Sequence, residues 1–270
     1  MNRKDEMISA EETAGIIKEL TDGVQGDISI LWQPADSQTP LFSLNSADKV
    51  ISASVIKTPI MAAALNEVLK GNISLDTMLA AEESQILDDT LVFDRGARQA
   101  SLHELLYWMI TQSDNTSTNI LIDHFGFGLI NEYIGSLNLK NTFLGRKMLD
   151  FEAVKNGINN YTCADDVFSL FRALHSRSIL SEPMCSLAAE ILLAQRDSRL
   201  FRRYIWESSV RIAHKSGGLD YLSHDAGIFY CGSQVYFLGV FMQNTKDIDG
   251  EPVLIGNIAR TVLNYHLQRR

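Results

Sequence analysis

Ser54-Val55-Ile56-Lys57-Thr58-Pro59-Ile60-Met61-Ala62-Ala63-Ala64-Leu65 opens with a serine and a lysine three residues apart and then turns almost wholly apolar. Three residues is close to one helical turn, so the Ser54 hydroxyl and the Lys57 amine share a face. The apolar run behind them predicts a helix buried on most sides. Burial disfavours an ammonium ion and lowers a lysine pKa toward that of a useful base. A helix N-terminus adds backbone N–H groups and positive potential, which suit a developing oxyanion. The spacing alone carries little weight, because Ser46-Ala47-Asp48-Lys49 has it too, in a polar stretch with no buried helix to follow. Pro59 is expected to cost the helix about one backbone hydrogen bond near its start.

The chain changes character on either side of this stretch. Upstream, Ser9-x-x-Glu12 is a capping-box pattern opening an amphipathic helix with Ile16, Ile17 and Leu20 on one face and an end near Gly23. Residues 27–32 and 41–44 are short β-prone runs separated by Pro34 and Pro40, which suggests an antiparallel pair. Downstream, helical patterns cover 55–70, 101–111, 115–125, 164–175 and 183–195. Ser101-x-x-Glu104, Thr162-x-x-Asp165 and Pro183 are their start signals. The stripe Leu102, Leu105, Leu106, Met109 and Ile110 reads as core.

Strand patterns return at 210–215, 226–231 and 235–242, the last two joined by a Gly232-Ser233 turn. A final helix keeps Ile255, Ile258, Ala259, Val262 and Leu263 in register. The order predicts an α+β fold in which an antiparallel sheet is flanked by the terminal helices. The sheet would come from 1–50 and 205–270, with an all-helical region at 51–204 inserted into it and the active site at the interface.

Composition narrows the function. A chain of 270 residues with 46% apolar content can bury a substantial core. Its 24 basic and 33 acidic residues give a formal charge of −9. The basic residues are scattered apart from Arg202-Arg203 and Arg269-Arg270, so no phosphate-tracking stripe exists and nucleic acid is not expected as a partner. No run reaches membrane-spanning length, and Met1 to Glu6 is polar, which reads as cytoplasmic as the sequence stands, or as secreted if a signal peptide has been removed. Cys163, Cys185 and Cys231 lie far apart without a C-x-x-C pairing and are expected to be buried thiols. His103, His124, His175 and His266 are dispersed, so no metal site is expected.

Two further strings carry chemistry. Ser113-Asp114-Asn115 precedes a helical run and offers a second hydroxyl and an amide, although alone it could be only an N-cap. Lys215-Ser216-Gly217-Gly218 ends a strand pattern with a cation, a hydroxyl and two small residues whose backbone a substrate can approach. His214 should point away from Lys215 and pack. His224-Asp225 reads either as a pair orienting each other near the site mouth or, more plainly, as a strand-start turn.

The joint pattern resembles the penicillin-recognising serine hydrolases and in particular the class A β-lactamases, whose S-x-x-K, S-D-N and K-T-G triplet it reproduces with Ser216 in place of Thr. The resemblance covers nearly the whole chain and implies a β-lactamase-like fold, a covalent acyl-enzyme and no cofactor. It implies that Ser54 is the nucleophile, Lys57 its base or relay, Ser113 a second proton shuttle and Asn115 a hydrogen-bonding partner for substrate. Lys215, Ser216 and Gly217 would bind substrate, and the N–H groups of Ser54 and Gly218 would form the oxyanion hole. The expected partner is a small β-lactam, peptide or ester, and the protein is expected to be a monomer.

There is one departure. After Thr142-x-Leu144-x-Arg146 the class A pattern places a glutamate that activates the deacylating water, and Met148 stands there instead. Asp150 or Glu152 could take its place on a shifted loop path, or could face solvent or pair with Arg146. Otherwise Lys57, Ser113 or the substrate must assist, and deacylation should be slow. The alternatives are a D-alanyl-D-alanine peptidase or esterase, and a protein that binds β-lactams or cell-wall fragments and acylates without turnover.

Overall fold

The computed structural model describes residues 7–93, 96 and 98–269, so the polar start Met1 to Glu6 and Arg270 lie outside the described residues. In chain order the elements are α1 (Ala10–Thr21), β1 (Asp27–Pro34), β2 (Phe42–Leu44), β3 (Val50–Ile51), a 3-10 turn (Ala53–Ile56) and α2 (Lys57–Leu69). Then follow β4 (Met78–Ala80), β5 (Gln99–Ser101), α3 (Leu102–Thr111), α4 (Asn115–Ser136), α5 (Phe151–Lys155), β6 (Tyr161–Thr162), α6 (Ala164–His175) and α7 (Glu182–Leu193). The chain closes with β7 (Val210–Leu219), β8 (Leu222–Cys231), β9 (Gln234–Gln243) and α8 (Glu251–Leu267).

The α+β expectation holds. Five antiparallel strands lie in the order β2-β1-β9-β8-β7, so the N- and C-terminal segments share one sheet and β7 is its edge. Alternation along β9 sorts its side chains between two cores. Tyr236, Leu238, Val240 and Met242 face α1 and α8, where Ile17, Ile255, Ile258, Ala259 and Val262 complete one apolar cluster. Phe237 and Phe241 face the helical region and join the core that runs through α2, α3, α4, α6 and α7. Sheet and helices therefore meet across an apolar layer, and the edge strand β7 comes up beside the 3-10 turn at the head of α2.

Several local expectations are corrected. The helix starting at Asn115 continues past Phe125 to Ser136, with a break at Gly126, where φ is 77°. Cys163 rather than Thr162 caps α6, its Sγ accepting from Asp166 N–H at 3.4 Å, while the Thr162 hydroxyl pairs with that of Thr142. Two short pairings, β3 with β6 and β4 with β5, have no counterpart in the sequence reading. Among the described residues no helix is long and apolar enough to cross a membrane.

Behind the sheet, Trp32 Nε1 donates to His266 Nε2 at 3.0 Å and the Tyr236 ring stacks on the same imidazole at 3.7 Å. Burial, aided by Arg269, pushes His266 down to about 3, and burial pushes His224 down to about 4. Both imidazoles fold neutral and gain a proton on unfolding below their ordinary pKa near 6.5. The contribution of these two histidines to stability is therefore complete above about pH 6.5 and is lost as the pH drops toward 4, by up to about 1.4 kcal/mol per pH unit for each. Urea midpoints measured across that range should fall steeply for the parent protein and less steeply for His266→Gln; identical slopes would reject this account.

Candidate active site

Ser54 is the second residue of the 3-10 turn that runs into α2. Ala53 before it has a φ of 42°, a left-handed conformation that costs energy in a residue with a side chain. The turn places Lys57 at the first position of α2, fully buried. Its Nζ donates to the Ser113 carbonyl at 2.5 Å, to Asn115 Oδ1 at 2.7 Å and to Ser113 Oγ at 3.2 Å.

Ser113 occupies the joint between α3 and α4, again left-handed, with φ 57°. Asp114 does cap α4, its Oδ1 accepting from Ser117 N–H at 2.7 Å. Its Oδ2 takes two more donors from the preceding loop, Thr90 Oγ1 at 2.7 Å and Leu91 N–H at 3.0 Å. The capping reading and the chemical reading of this string are thus both realised, in different side chains.

Lys215 enters from β7, fully buried, and reaches the same Ser113 Oγ at 3.2 Å and its neighbour's carbonyl, Ser216 O, at 2.7 Å. One hydroxyl therefore lies between two amines. Burial, reinforced by Lys215, holds Lys57 well below the ordinary lysine range, with Asp114 and Asp89 pulling the other way. Burial lowers Lys215 to about 8 against the opposing pull of Asp225 and Asp197. A carbon added at Gly217 would sit 3.0 Å from Ser54 N and 3.1 Å from Ala53 Cβ, so a side chain there would press on the Ser54 backbone. At Gly218 the nearest neighbour would be 3.8 Å away. Ser54, Ser113, Asn115, Ser216, Gly217 and Gly218 all line one open cleft of about 710 Å³.

The loop after Arg146 is different. Met148 is buried, and its backbone N–H and carbonyl are both held by the Asn119 side chain of α4, at 2.8 and 3.1 Å. The two carboxylates expected as substitutes do not line the cleft. Asp150 is used as the N-cap of α5, accepting from Ala153 N–H at 2.9 Å, and Glu152 is exposed and paired with Lys155 at 3.2 Å. Arg146 binds neither; its Nε donates to Asn159 Oδ1 at 2.9 Å.

The histidine next to Lys215 is buried as expected, its Nδ1 2.8 Å from Asp225 Oδ1. The His224-Asp225 expectation is corrected in both its forms. The two lie inside β8 and point to opposite faces, where His224 binds Ile51 O at 2.8 Å and Asp225 serves His214 and Phe201 N–H. Among the described residues no cluster of three or more His, Cys, Asp or Glu could hold a metal.

Three cleft or near-cleft residues escaped sequence reading. Asp89 accepts from Asn115 Nδ2 at 2.6 Å. Asp197, which burial alone would raise, is brought down to about 2 by Arg199 and the Ser216 hydroxyl. Only Asn119 left a signal, since the polar run Asn115-Thr116-Ser117-Thr118-Asn119 opens a helix that is buried from Thr116 to Ile122.

Known proteins resemble this chain in sequence and in fold. Residues 12–266 match the family described as "Beta-lactamase enzyme family". A beta-lactamase of Bacteroides uniformis is 25% identical over 231 residues, 77% of this chain and 76% of that protein. Among solved structures, a beta-lactamase from Sphaerobacter thermophilus DSM 20745 superposes with a TM-score of 0.84 at 25% identity, over 95% of this chain and 97% of its own. A class A beta-lactamase representative from Bacteroides cellulosilyticus DSM 14838 reaches 0.86 at 21% identity, over 97% and 99% of the two chains. The family match runs from the first helix to the last and takes in all three sequence strings, so the chain belongs to the beta-lactamase enzyme family.

Proposed function

We propose that the protein is a serine hydrolase that opens a β-lactam, or a related amide or ester, through an acyl-enzyme on Ser54, with release of the acyl group as the slow step. The observation that carries this reading is the Ser113 hydroxyl held between two buried amines at 3.2 Å each, with Ser113 and Ser54 lining the same open cleft. A lysine held well below its ordinary range carries a larger neutral fraction than an exposed one, which suits it to accept a proton.

In this scheme Lys57 takes the Ser54 proton, directly or through Ser113 Oγ, as the Ser54 oxygen bonds to the substrate carbonyl carbon. The oxyanion is received by the N–H groups of Ser54 and Gly218. Collapse breaks the C–N bond, and the leaving nitrogen takes its proton from Ser113, which is resupplied by Lys57. Lys215, still charged below about pH 8, and the Ser216 hydroxyl hold the substrate carboxylate. Asn115 hydrogen-bonds the acyl side, and Gly217 keeps the strand close to Ser54.

Release needs a water activated by a base. Met148 has no proton acceptor to offer, and Asp150 and Glu152 are engaged elsewhere. Lys57, Ser113 or the substrate itself must therefore supply the base, which favours a long-lived adduct. The same feature suits a D-alanyl-D-alanine peptidase or esterase, or a protein that acylates once, and turnover of peptide and ester substrates against a β-lactam separates these.

Intact-protein mass spectrometry with benzylpenicillin should show an adduct of one penicilloyl group, absent from Ser54→Ala; an adduct on the variant would reject the assignment. That adduct should persist for many turnover times of an efficient hydrolase, and Met148→Glu should shorten its life about tenfold or more. An unchanged lifetime would mean that the missing base does not limit release. The pH profile of kcat/KM for free enzyme should rise as Lys57 loses its proton and fall above about 8 as Lys215 loses its own. A profile that is flat through that upper limb would remove Lys215 from carboxylate binding.

A further inference from the structure

Asp89, Asp197 and Asp220 line the cleft and the acylation scheme leaves all three unused, but Asp89 is the one bound to the Asn115 amide. Asp89 lies in the turn ahead of β5, exposed at the cleft wall, and accepts from Asn115 Nδ2 at 2.6 Å. The opposite end of that amide, Oδ1, accepts from Lys57 Nζ at 2.7 Å. The turn itself is fastened to the head of α4 on both sides of Asp89. Leu87 N–H donates to Thr116 Oγ1 at 2.9 Å, and Thr90 Oγ1 and Leu91 N–H donate to Asp114 Oδ2.

An asparagine amide keeps nearly the same shape when turned end for end, but exchanges an acceptor for a pair of donors. The exchange matters to a lysine acting as a base. A neutral amine has two N–H donors and one lone pair. With Asn115 Oδ1 on Nζ, the two donors go to Ser113 O and Asn115 Oδ1, the two shortest contacts, and the lone pair remains for a hydroxyl proton. With Nδ2 on Nζ, an amide N–H would occupy that lone pair and quench the base. A carboxylate at the far end accepts only, so it penalises the quenched orientation, in which amide oxygen would face carboxylate oxygen.

We propose that Asp89 is a positioning residue that locks the Asn115 amide with its oxygen on Lys57 and so keeps the Lys57 lone pair available to the Ser113 hydroxyl 3.2 Å away, the relay toward Ser54. This rests on the reading of Lys57 as the base. The charged groups acting on Lys57 are Lys215 on β7, Asp114 at the head of α4 and Asp89 on the turn. Lys215 disfavours the ammonium and the two carboxylates favour it, so removing the Asp89 charge must let Lys57 deprotonate at lower pH.

Two exposed substitutions separate charge from orientation. Asp89→Asn keeps an acceptor facing Asn115 Nδ2 but carries no charge, and Asp89→Ala keeps neither. In protein labelled at lysine 15Nζ, with the Lys57 resonance assigned through Lys57→Arg, both variants should titrate about half a pH unit or more below the parent. At saturating benzylpenicillin above the Lys57 midpoint, Asp89→Ala should acylate about tenfold or more slowly, whereas Asp89→Asn should stay within about threefold of the parent. An unmoved Lys57 midpoint in both variants, or a parental acylation plateau in Asp89→Ala, would overturn the proposal. If no form of the protein took up benzylpenicillin while the Lys57 titration still moved, the acylation reading would fall and the control of Lys57 by Asp89 would stand.

Discussion

Lys57 and Lys215 both direct an amine at the Ser113 hydroxyl, both are fully buried, and every acceptor that either of them meets is a neutral oxygen. Two cations so placed repel each other and have lost most of their hydration. Carboxylates act on them only from a distance, Asp114 and Asp89 on one, Asp225 and Asp197 on the other. A direct salt bridge would have fixed Lys57 as a spectator cation. With dipoles in place of an ion pair, nothing beside either amine offsets the loss of hydration, and burial depresses both, Lys57 well below the ordinary lysine range and Lys215 to about 8.

The arrangement needs three distant chain segments to hold still. α2 brings Lys57, the α3–α4 joint brings Ser113, and β7 brings Lys215, and each is pinned by packing or by a hydrogen bond that the reaction does not consume. Asp114 is the main fastener, since its two oxygens tie the first turn of α4 to the loop at Thr90 and Leu91. Left-handed φ values at Ala53 and Ser113 show where the backbone is bent against preference, at the two hydroxyl-bearing turns. Gly217 lets β7 lie against the Ser54 backbone, so the sheet edge and Ser54 are set at contact distance.

Much of this was legible from local chemistry. The capping boxes at Ser9 and Ser101 form as written, because each needs only residues three apart. The burial of Lys57 could be anticipated from the apolar run that follows it, and the sheet could be assembled from strand patterns at both ends of the chain. What could not be read were contacts between loops. Asp89 meets Asn115 across 26 residues, and Asn119 holds Met148 across 29, with no periodicity to announce either. Cys163 took over a cap expected of Thr162 because a one-residue shift turned the threonine inward to Thr142. The exclusion of Asp150 from the cleft was likewise invisible, since its use as an N-cap depends on a five-residue helix too short to predict.

The three cysteines have a consequence for where such a molecule can exist. All are buried, Cys163 with a thiol that burial raises to about 11 and Cys185 also raised. A buried thiol with so little thiolate is a poor partner in exchange or oxidation. Neither core is cross-linked, and the thiol at the head of α6 serves as a hydrogen-bond acceptor in its reduced form. The fold thus makes no demand on the redox potential of its surroundings, and the same folded state is available on the glutathione-buffered side of a membrane and on the oxidising side.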